Sequence, residues 1–344
     1  MAEKGLRTLR KLALVDGEFR FLRTEQGLLV PLVHSLSTAE ASLLKKEIGV
    51  VETQLGLFTR GKDRPGRSLS ATLQSELAND VVGKSPRSFD VIGDIAILEV
   101  PVGMEEFSTT IARAAMKVSP HIRLVLGKSG QTEGPFRVRK FTVIAGKGNT
   151  ETVHQEFSCR YHLDVSKVYF NPRLSHERMR VAEQVKAHEI VVDMFAGVGP
   201  YSILIGKLQQ NASVYSVDLN PSAYAYLKEN VLINRVADHV VPLFGDVKEL
   251  GRTRLKGIAD RVIMNLPSES LVYLPAALQI LKTGGGAMHF YAFVSRNENS
   301  EAVSNRLKAT IREQNRTVES FSFCKVIREV APNRVQVAID AVVN

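Results

Sequence analysis

Four polar residues in the second half of the chain each follow an apolar run. Asp193 closes "EIVVD" and leads into "MFAGVGP", where Gly197 and Gly199 mark a turn; Asp218 closes "SVYSVD", Asp246 closes "LFGD", and Asn265 opens "NLP", which ends at Pro267. Apolar runs of this kind read as buried strands, and a glycine turn after the first lets the backbone approach a ligand at the carboxyl edge of an open α/β sheet. A dinucleotide site wants a third glycine three positions after the second, where this chain has Ser202, so a pyrophosphate fits poorly. An acidic residue ahead of a two-glycine turn suits a ligand with an amino group and no phosphate, which is how S-adenosylmethionine is built. On that ligand Asp218 would accept the ribose hydroxyls and Asp246 the adenine amino group, while the NLP segment would face the methyl donor. An aspartate after a strand is also a common helix N-cap. Four polar strand ends on one sheet edge are harder to explain as caps.

A second group of chemically capable residues lies upstream. "YFNPRLSHER", residues 169–178, puts Tyr169 and Phe170 before an Asn-Pro step and Glu177 next to Arg178. Glu177 stands two positions after Ser175 at an expected helix start, where the helix dipole favours a carboxylate by about 0.3–1 kcal/mol and would also keep it ionised. "FRVRK" supplies Arg137 and Arg139, which share a face if the segment alternates as a strand.

The elements that must position these groups follow from periodicity. After residue 180, strands alternate with helices: "EIVVDMFAGVG", the helix "PYSILIGKLQQ", "ASVYSVDLN", the helix "PSAYAYLKENVLINRV" with proline in its first turn, then "HVVPLFGDV", "ADRVIMNLP" and "GGAMHFYAFVS". Nearly continuous apolar strands in this order predict a parallel sheet covered on both faces, and the four polar strand ends combined with it point to the class I methyltransferase (Rossmann-like) α/β fold. Upstream, "SFDVIGDIAILEVP" reads as a strand pair about Gly93, "MEEFSTTIARAAMKVS" as an amphipathic helix, and "IRLVLGKS", "FRVRKFTVIAG" and "ETVHQEFSCRYHLDV" as further extended segments, an α+β layer. Residues 1–60 mix short extended runs ("FRFLRTEQGLLVPLV", "VVETQLGLF") with a helix around "TAEASLLKKEIG". "TRGKDRPGRSLS" has the composition of a linker. The expected division is a small N-terminal domain 1–60, a linker 61–70, a middle α+β domain 71–168 and a methyltransferase domain 169–344.

"DVSKVYFNPRLSHERMRVAEQV", "DMFAGVGPYSI", "DLNPSAYAYLKENVLINRV" and "DRVIMNLPSES" together resemble the archaeal and eukaryotic tRNA (guanine-37-N1)-methyltransferase family over about residues 85–344. The resemblance implies transfer of a methyl group from S-adenosylmethionine to N1 of guanosine 37, with Glu177 matching the general base, Arg137 the arginine that holds O6, and Asn265 a residue that positions guanine and cofactor. Arg139 is an equally placed neighbour of Arg137. The cofactor-binding set implied is Tyr169, Arg178, Asp193, Phe195, Gly197, Val198, Gly199, Asp218, Leu219, Asp246, Val247, Asn265 and Pro267. The N-terminal segment more loosely resembles the small domain with which archaeal members touch tRNA. Alternatives of the same fold are a wyosine-pathway aminocarboxypropyltransferase and a bifunctional wyosine-precursor methyltransferase; one of another class is a nonenzymatic tRNA-binding protein.

The composition agrees with such a partner. The 344 residues carry a formal charge of +9, and cations that neutralise phosphates gain free energy from counterion release. No apolar run approaches the roughly 20 residues of a membrane-spanning helix, so a cytoplasmic protein is expected. Two cysteines, Cys159 and Cys324, far apart in sequence, and histidines lacking ligand spacing predict no metal site. With no obvious apolar patch, a monomer is the default.

Overall fold

The computed structural model describes residues 68–344 except 135, 137 and 299, and, before these, residues 8–9, 14–15, 22–24, 27–32, 36 and 38–49. Close contacts divide the chain into two compact units, Met1–Gly83 and Lys84–Asn344. The run "VVETQLGLF" and residues 61–67 of the expected linker lie outside the described residues.

In the first unit β1 (Leu22–Thr24) pairs antiparallel with β2 (Gly27–Leu29), and α1 (Thr38–Ile48) carries Glu40 in its first turn and Lys45 and Lys46 in its last. Those charges oppose the helix dipole at each end. Ser68 caps α2 (Leu69–Leu73) by accepting from the Ala71 N–H at 3.1 Å, and α3 (Asn79–Lys84) follows.

The second unit opens with a four-stranded sheet in the order β3 (Asp90–Ile92), β4 (Ile95–Leu98), β5 (Leu124–Glu133), β6 (Val138–Gly146). β3 and β4 form the expected pair about Gly93, which takes φ +58° and where a Cβ would strike Thr152 Oγ1. The amphipathic helix α4 (Ser108–Val118) crosses between β4 and β5 and buries Ile111, Ala112, Ala114 and Ala115. The segment from Glu151 is a hairpin, β7 (Glu151–Glu156) and β8 (Cys159–Asp164), turning through Phe157 and Ser158, both at positive φ. Two consecutive left-handed residues are what a tight hairpin needs.

"YFNPRLSHER" becomes a capped helix start. The Asn171 side chain accepts from the Arg173 N–H at 3.0 Å, Pro172–Leu174 form a 3-10 turn, and α5 (Ser175–Ala182) runs on from it. The chain then enters a seven-stranded sheet through β9 (Ile190–Asp193), α6 (Pro200–Leu208), β10 (Ser213–Asp218), α7 (Pro221–Ile233), β11 (Val240–Phe244), α8 (Val247–Arg252), β12 (Arg261–Met264), α9 (Ser270–Ile280), β13 (Gly286–Ser295), α10 (Ser300–Glu313), β14 (Val318–Ala331) and β15 (Arg334–Val343). The strand order is β11-β10-β9-β12-β13-β15-β14. The first five strands are parallel, and β12 is buried throughout, as apolar runs packed on both faces require. The expected all-parallel sheet is corrected at its far edge: β15 inserts antiparallel between β13 and β14. The final hairpin needs no crossover helix, so β15 alone runs against the other six strands, while β14, reached through α10, keeps their direction.

Candidate functional site

β9 lies between β10 and β12, the point where strand order reverses, and the carboxyl ends of β11, β10, β9 and β12 form one edge. Register pairs Ser216 and Ile263 with Asp193, and Asp218 with Phe244 just before Asp246. Asp246, Asp218, Asp193 and Asn265 are thereby brought to one side of the sheet, where open α/β sheets bind ligands.

Asp193 is fully buried. Its Oδ2 accepts from the Ser202 hydroxyl at 2.7 Å, while Oδ1 has no hydrogen-bond partner among the described residues. Burial pushes its carboxyl up to about 7, with the nearby Asp218 adding to the rise and the Ser202 and Phe195 donors opposing it. A buried oxygen without a donor is costly. An ammonium group of a bound cofactor is the chemistry that would satisfy it. The turn after it holds Gly197 at φ +57° and Gly199 at φ +91°. Gly199 is fixed by packing as well, because a Cβ would come within 2.5 Å of Leu227 Cδ1, and it opens α6.

Asp218 accepts from the Gly197 N–H at 2.6 Å through Oδ2 and from the Asn220 N–H at 2.8 Å through Oδ1. Burial raises its carboxyl, and these backbone bonds counter the rise. Each oxygen keeps a lone pair for a ligand hydroxyl. Asp246 caps α8 by accepting from the Lys248 N–H at 2.8 Å, so the ordinary capping role and a place on the ligand edge coincide. Asn265 and Pro267 follow β12 half-buried, and Pro267 accepts from the Phe293 N–H at 3.2 Å. Phe195 packs edge-on against Tyr273, Val198 and Val247 are buried, and Leu219 is exposed.

Glu177 and Arg178, adjacent in sequence, face different partners. Arg178 is buried and spends Nε and Nη2 on both oxygens of Glu156, each at 2.6 Å, and Nη1 on the Asn171 carbonyl at 3.1 Å. These bonds join α5 to the β7–β8 hairpin and leave Arg178 turned to that hairpin. Glu177 is also buried: Oε1 accepts from Tyr291 Oη at 2.6 Å and Arg180 Nη2 at 2.7 Å, and Oε2 accepts from Arg180 Nε at 2.8 Å. Tyr291 lies one residue beyond the Met264–Phe290 pair, alongside Asn265 at the end of β12. Tyr169 is exposed and lines a cleft with Arg139, Phe141, Asn171, Arg173 and Arg328. Arg137 lies outside the described residues.

Sequence reasoning missed Arg180 and Tyr291, which donate to Glu177, and Asp340, which shares Arg180 with it. Arg180 was within reach as the third residue after Glu177 on one helix face. Tyr291 and Asp340 come from distant strands.

Residues 152–319 match the TRM5/TYW2 methyltransferase domain, and residues 69–150 match the TYW2 N-terminal domain. The chain is similar to the tRNA (guanine(37)-N(1))-methyltransferase Trm5b of Pyrococcus abyssi, 36% identical over 335 residues, covering 97% of this chain and 94% of that protein. It is also similar to the tRNA 4-demethylwyosine(37)-methyltransferase Taw21 of Saccharolobus solfataricus, 36% identical over 259 residues, covering 75% of this chain and 94% of that one. Among solved structures, that of M. jannaschii TYW2 in complex with AdoMet is 27% identical with a TM-score of 0.58, covering 75% of this chain and 99% of that chain.

Proposed function

Because the chain belongs to the TRM5/TYW2 methyltransferase family, we propose that it transfers the methyl group of S-adenosylmethionine to N1 of guanosine 37 in tRNA. The observation that carries the reading is the sheet edge on which Asp193 Oδ1 has no hydrogen-bond partner among the described residues, together with the buried carboxylate of Glu177 on α5. S-adenosylmethionine supplies an electrophilic methyl on its sulfonium. In this reading Asp193 holds the donor's amino group, Asp218 its ribose, and Asp246 its adenine.

Guanine N1 carries a proton and becomes nucleophilic as that proton leaves. Glu177 accepts it at Oε2, the oxygen that receives one hydrogen bond among the described residues where Oε1 receives two. Negative charge then spreads to O6, where a fixed cation stabilises the transition state. Arg137 or Arg139 serves there, and Arg139 lines the same cleft as Tyr169. Asn265 positions both partners. The base is extruded from the anticodon loop, because N1 lies on its Watson–Crick edge. The N-terminal unit contacts the tRNA elsewhere, and the protein works as a cytoplasmic monomer.

The test is a nuclease digest of a G37 transcript incubated with protein and S-adenosylmethionine. A gain of one methyl mass on the fragment holding nucleotide 37 is expected. Tight tRNA binding with no methyl gain would favour a binding protein instead.

A second acceptor has its own support in the similarity to Taw21 and in the TYW2 N-terminal domain over residues 69–150. A tRNA carrying 4-demethylwyosine, offered under the same conditions, decides whether its C7 is methylated too. Gain of an aminocarboxypropyl group would instead place the chain among the transferases that move the other substituent on sulfur.

A further inference from the structure

A largely buried ionic chain runs from Glu177 on α5 through residues of β15, β13 and β12. Arg180, bidentate to Glu177, also donates to Asp340 on β15 from Nη1 at 2.5 Å and from Nη2 at 3.1 Å. Asp340 Oδ1 lies 2.7 Å from His289 Nδ1, and His289 Nε2 lies 2.8 Å from Arg261 Nη1. Arg261 ends the chain on Glu189, with Nε at 2.8 Å and Nη2 at 3.1 Å.

Charge can be assigned along it. A guanidinium N–H only donates, so His289 Nε2 must accept, and the ring proton sits on Nδ1 and is donated to Asp340. His289 is therefore neutral, in keeping with the burial that lowers its proton affinity against the opposing pull of Asp340. Arg261 is matched by Glu189. Among the described residues two carboxylates, Glu177 and Asp340, then share one cation, Arg180, and the cluster holds one uncompensated negative charge. The other groups facing it do not cancel that charge: Tyr291 donates to Glu177 and accepts from Tyr201 at 3.2 Å, and Gln184 Nε2 donates to Asp340 at 3.0 Å. Arg178 is committed to Glu156, and Lys325 is on β14, 5.6 Å from the Phe323 ring that Arg180 covers.

We infer that Asp340 is a positioning residue for the proposed reaction, drawing Arg180 away from full neutralisation of Glu177 and so keeping that carboxylate able to accept the proton of guanine N1. The inference rests on the reading of Glu177 as the base. When the N1–H bond breaks, its proton moves to Glu177 Oε2 and its electron pair forms the bond to the methyl carbon, while the bond from that carbon to the sulfonium sulfur breaks and leaves its pair on sulfur as a neutral thioether. Arg180 and Asp340 remain as a matched pair, and the cluster becomes neutral. Asp340 stays ionised throughout, because the hydrogen bonds from His289 and Arg180 outweigh burial and hold its carboxyl well below the usual range.

The test compares single-turnover methyl transfer against pH at saturating cofactor and tRNA for wild type, Asp340→Asn, Gln184→Lys and Glu177→Gln. Asp340→Asn deletes the surplus charge. Gln184→Lys cancels it from a half-buried position, with less risk to folding. Both should move the acid limb of the profile down by about one pH unit and lower the plateau about threefold, as a weaker base on a Brønsted line would, with the cofactor Kd unchanged. Circular dichroism checks that Asp340→Asn folds; if it does not, Gln184→Lys decides. An unmoved acid limb in the folded variants overturns the role of Asp340. Glu177→Gln separates the two levels: wild-type rate in that variant refutes the base itself, whereas an inactive Glu177→Gln beside unmoved limbs refutes only the inference.

Discussion

Replacing Asp193 by Asn should make the protein more stable and a poorer binder at once. In the cofactor-free protein burial lifts the carboxyl from 3.8 to about 7. A group whose folded value is raised stabilises most when protonated, so its contribution is complete below about pH 4 and is lost as pH climbs through about 7. The full span corresponds to about 4 kcal/mol at about 1.4 kcal/mol per pH unit. Between pH 6 and 8, the accessible window, the wild type should lose about 1.4 kcal/mol relative to Asp193→Asn, which has no charge to bury. Cofactor binding runs the other way, because an ammonium prefers the ionised carboxylate. From pH 6 to 7.5 the ionised fraction rises about eightfold while the protonated fraction of an α-amino group falls by about a third, so the wild-type Kd should tighten about fivefold. Paired denaturant melts and calorimetric titrations at these pH values measure both. A wild-type Kd that stays flat from pH 6 to 7.5, or an Asp193→Asn variant with wild-type affinity, would refute the assignment of Asp193 to the amino group.

Three other substitutions separate roles within the site. Glu177→Gln should cut the transfer rate by about two orders of magnitude or more while leaving the cofactor Kd in place, and equal losses in both would count against a base. Asp218→Ala should do the reverse, raising the Kd with little effect on single-turnover rate at saturating cofactor; an unchanged Kd removes Asp218 from the ribose. Arg178→Met leaves Glu156 buried without its partner and should cost about 3–5 kcal/mol in a denaturant melt, whereas a loss below about 1 kcal/mol would mean that the pair is not structural.

What the sequence made legible was local. The apolar runs leading to Asp193, Asp218, Asp246 and Asn265 announced both the strands and the edge on which they stand, since each polar residue lies at or just beyond the end of its own strand. Ser175 likewise marked the helix start before Glu177. Side-chain direction was not legible: Glu177 and Arg178 are neighbours in "SHER", yet one turns to Tyr291 and the other to Glu156, because adjacent helix positions face about 100° apart. Pairings across long sequence separations were hidden as well. Asp340 reaches Arg180 only because β15 inserts antiparallel beside β13, and an antiparallel hairpin after a run of parallel strands leaves no periodic signal that it will enter the same sheet. The neutral state of His289 follows from Arg261 on a third strand, which no motif spacing records.

The central claim is most directly tested by primer extension through position 37 of a G37 transcript after incubation with S-adenosylmethionine and protein. A methyl on N1 occupies the pairing edge of guanine, so the account predicts a methylated product on which extension arrests at nucleotide 37, dependent on the cofactor and lost with Glu177→Gln. Methyl gain with unimpeded read-through at 37, or an arrest that persists in Glu177→Gln, would contradict it.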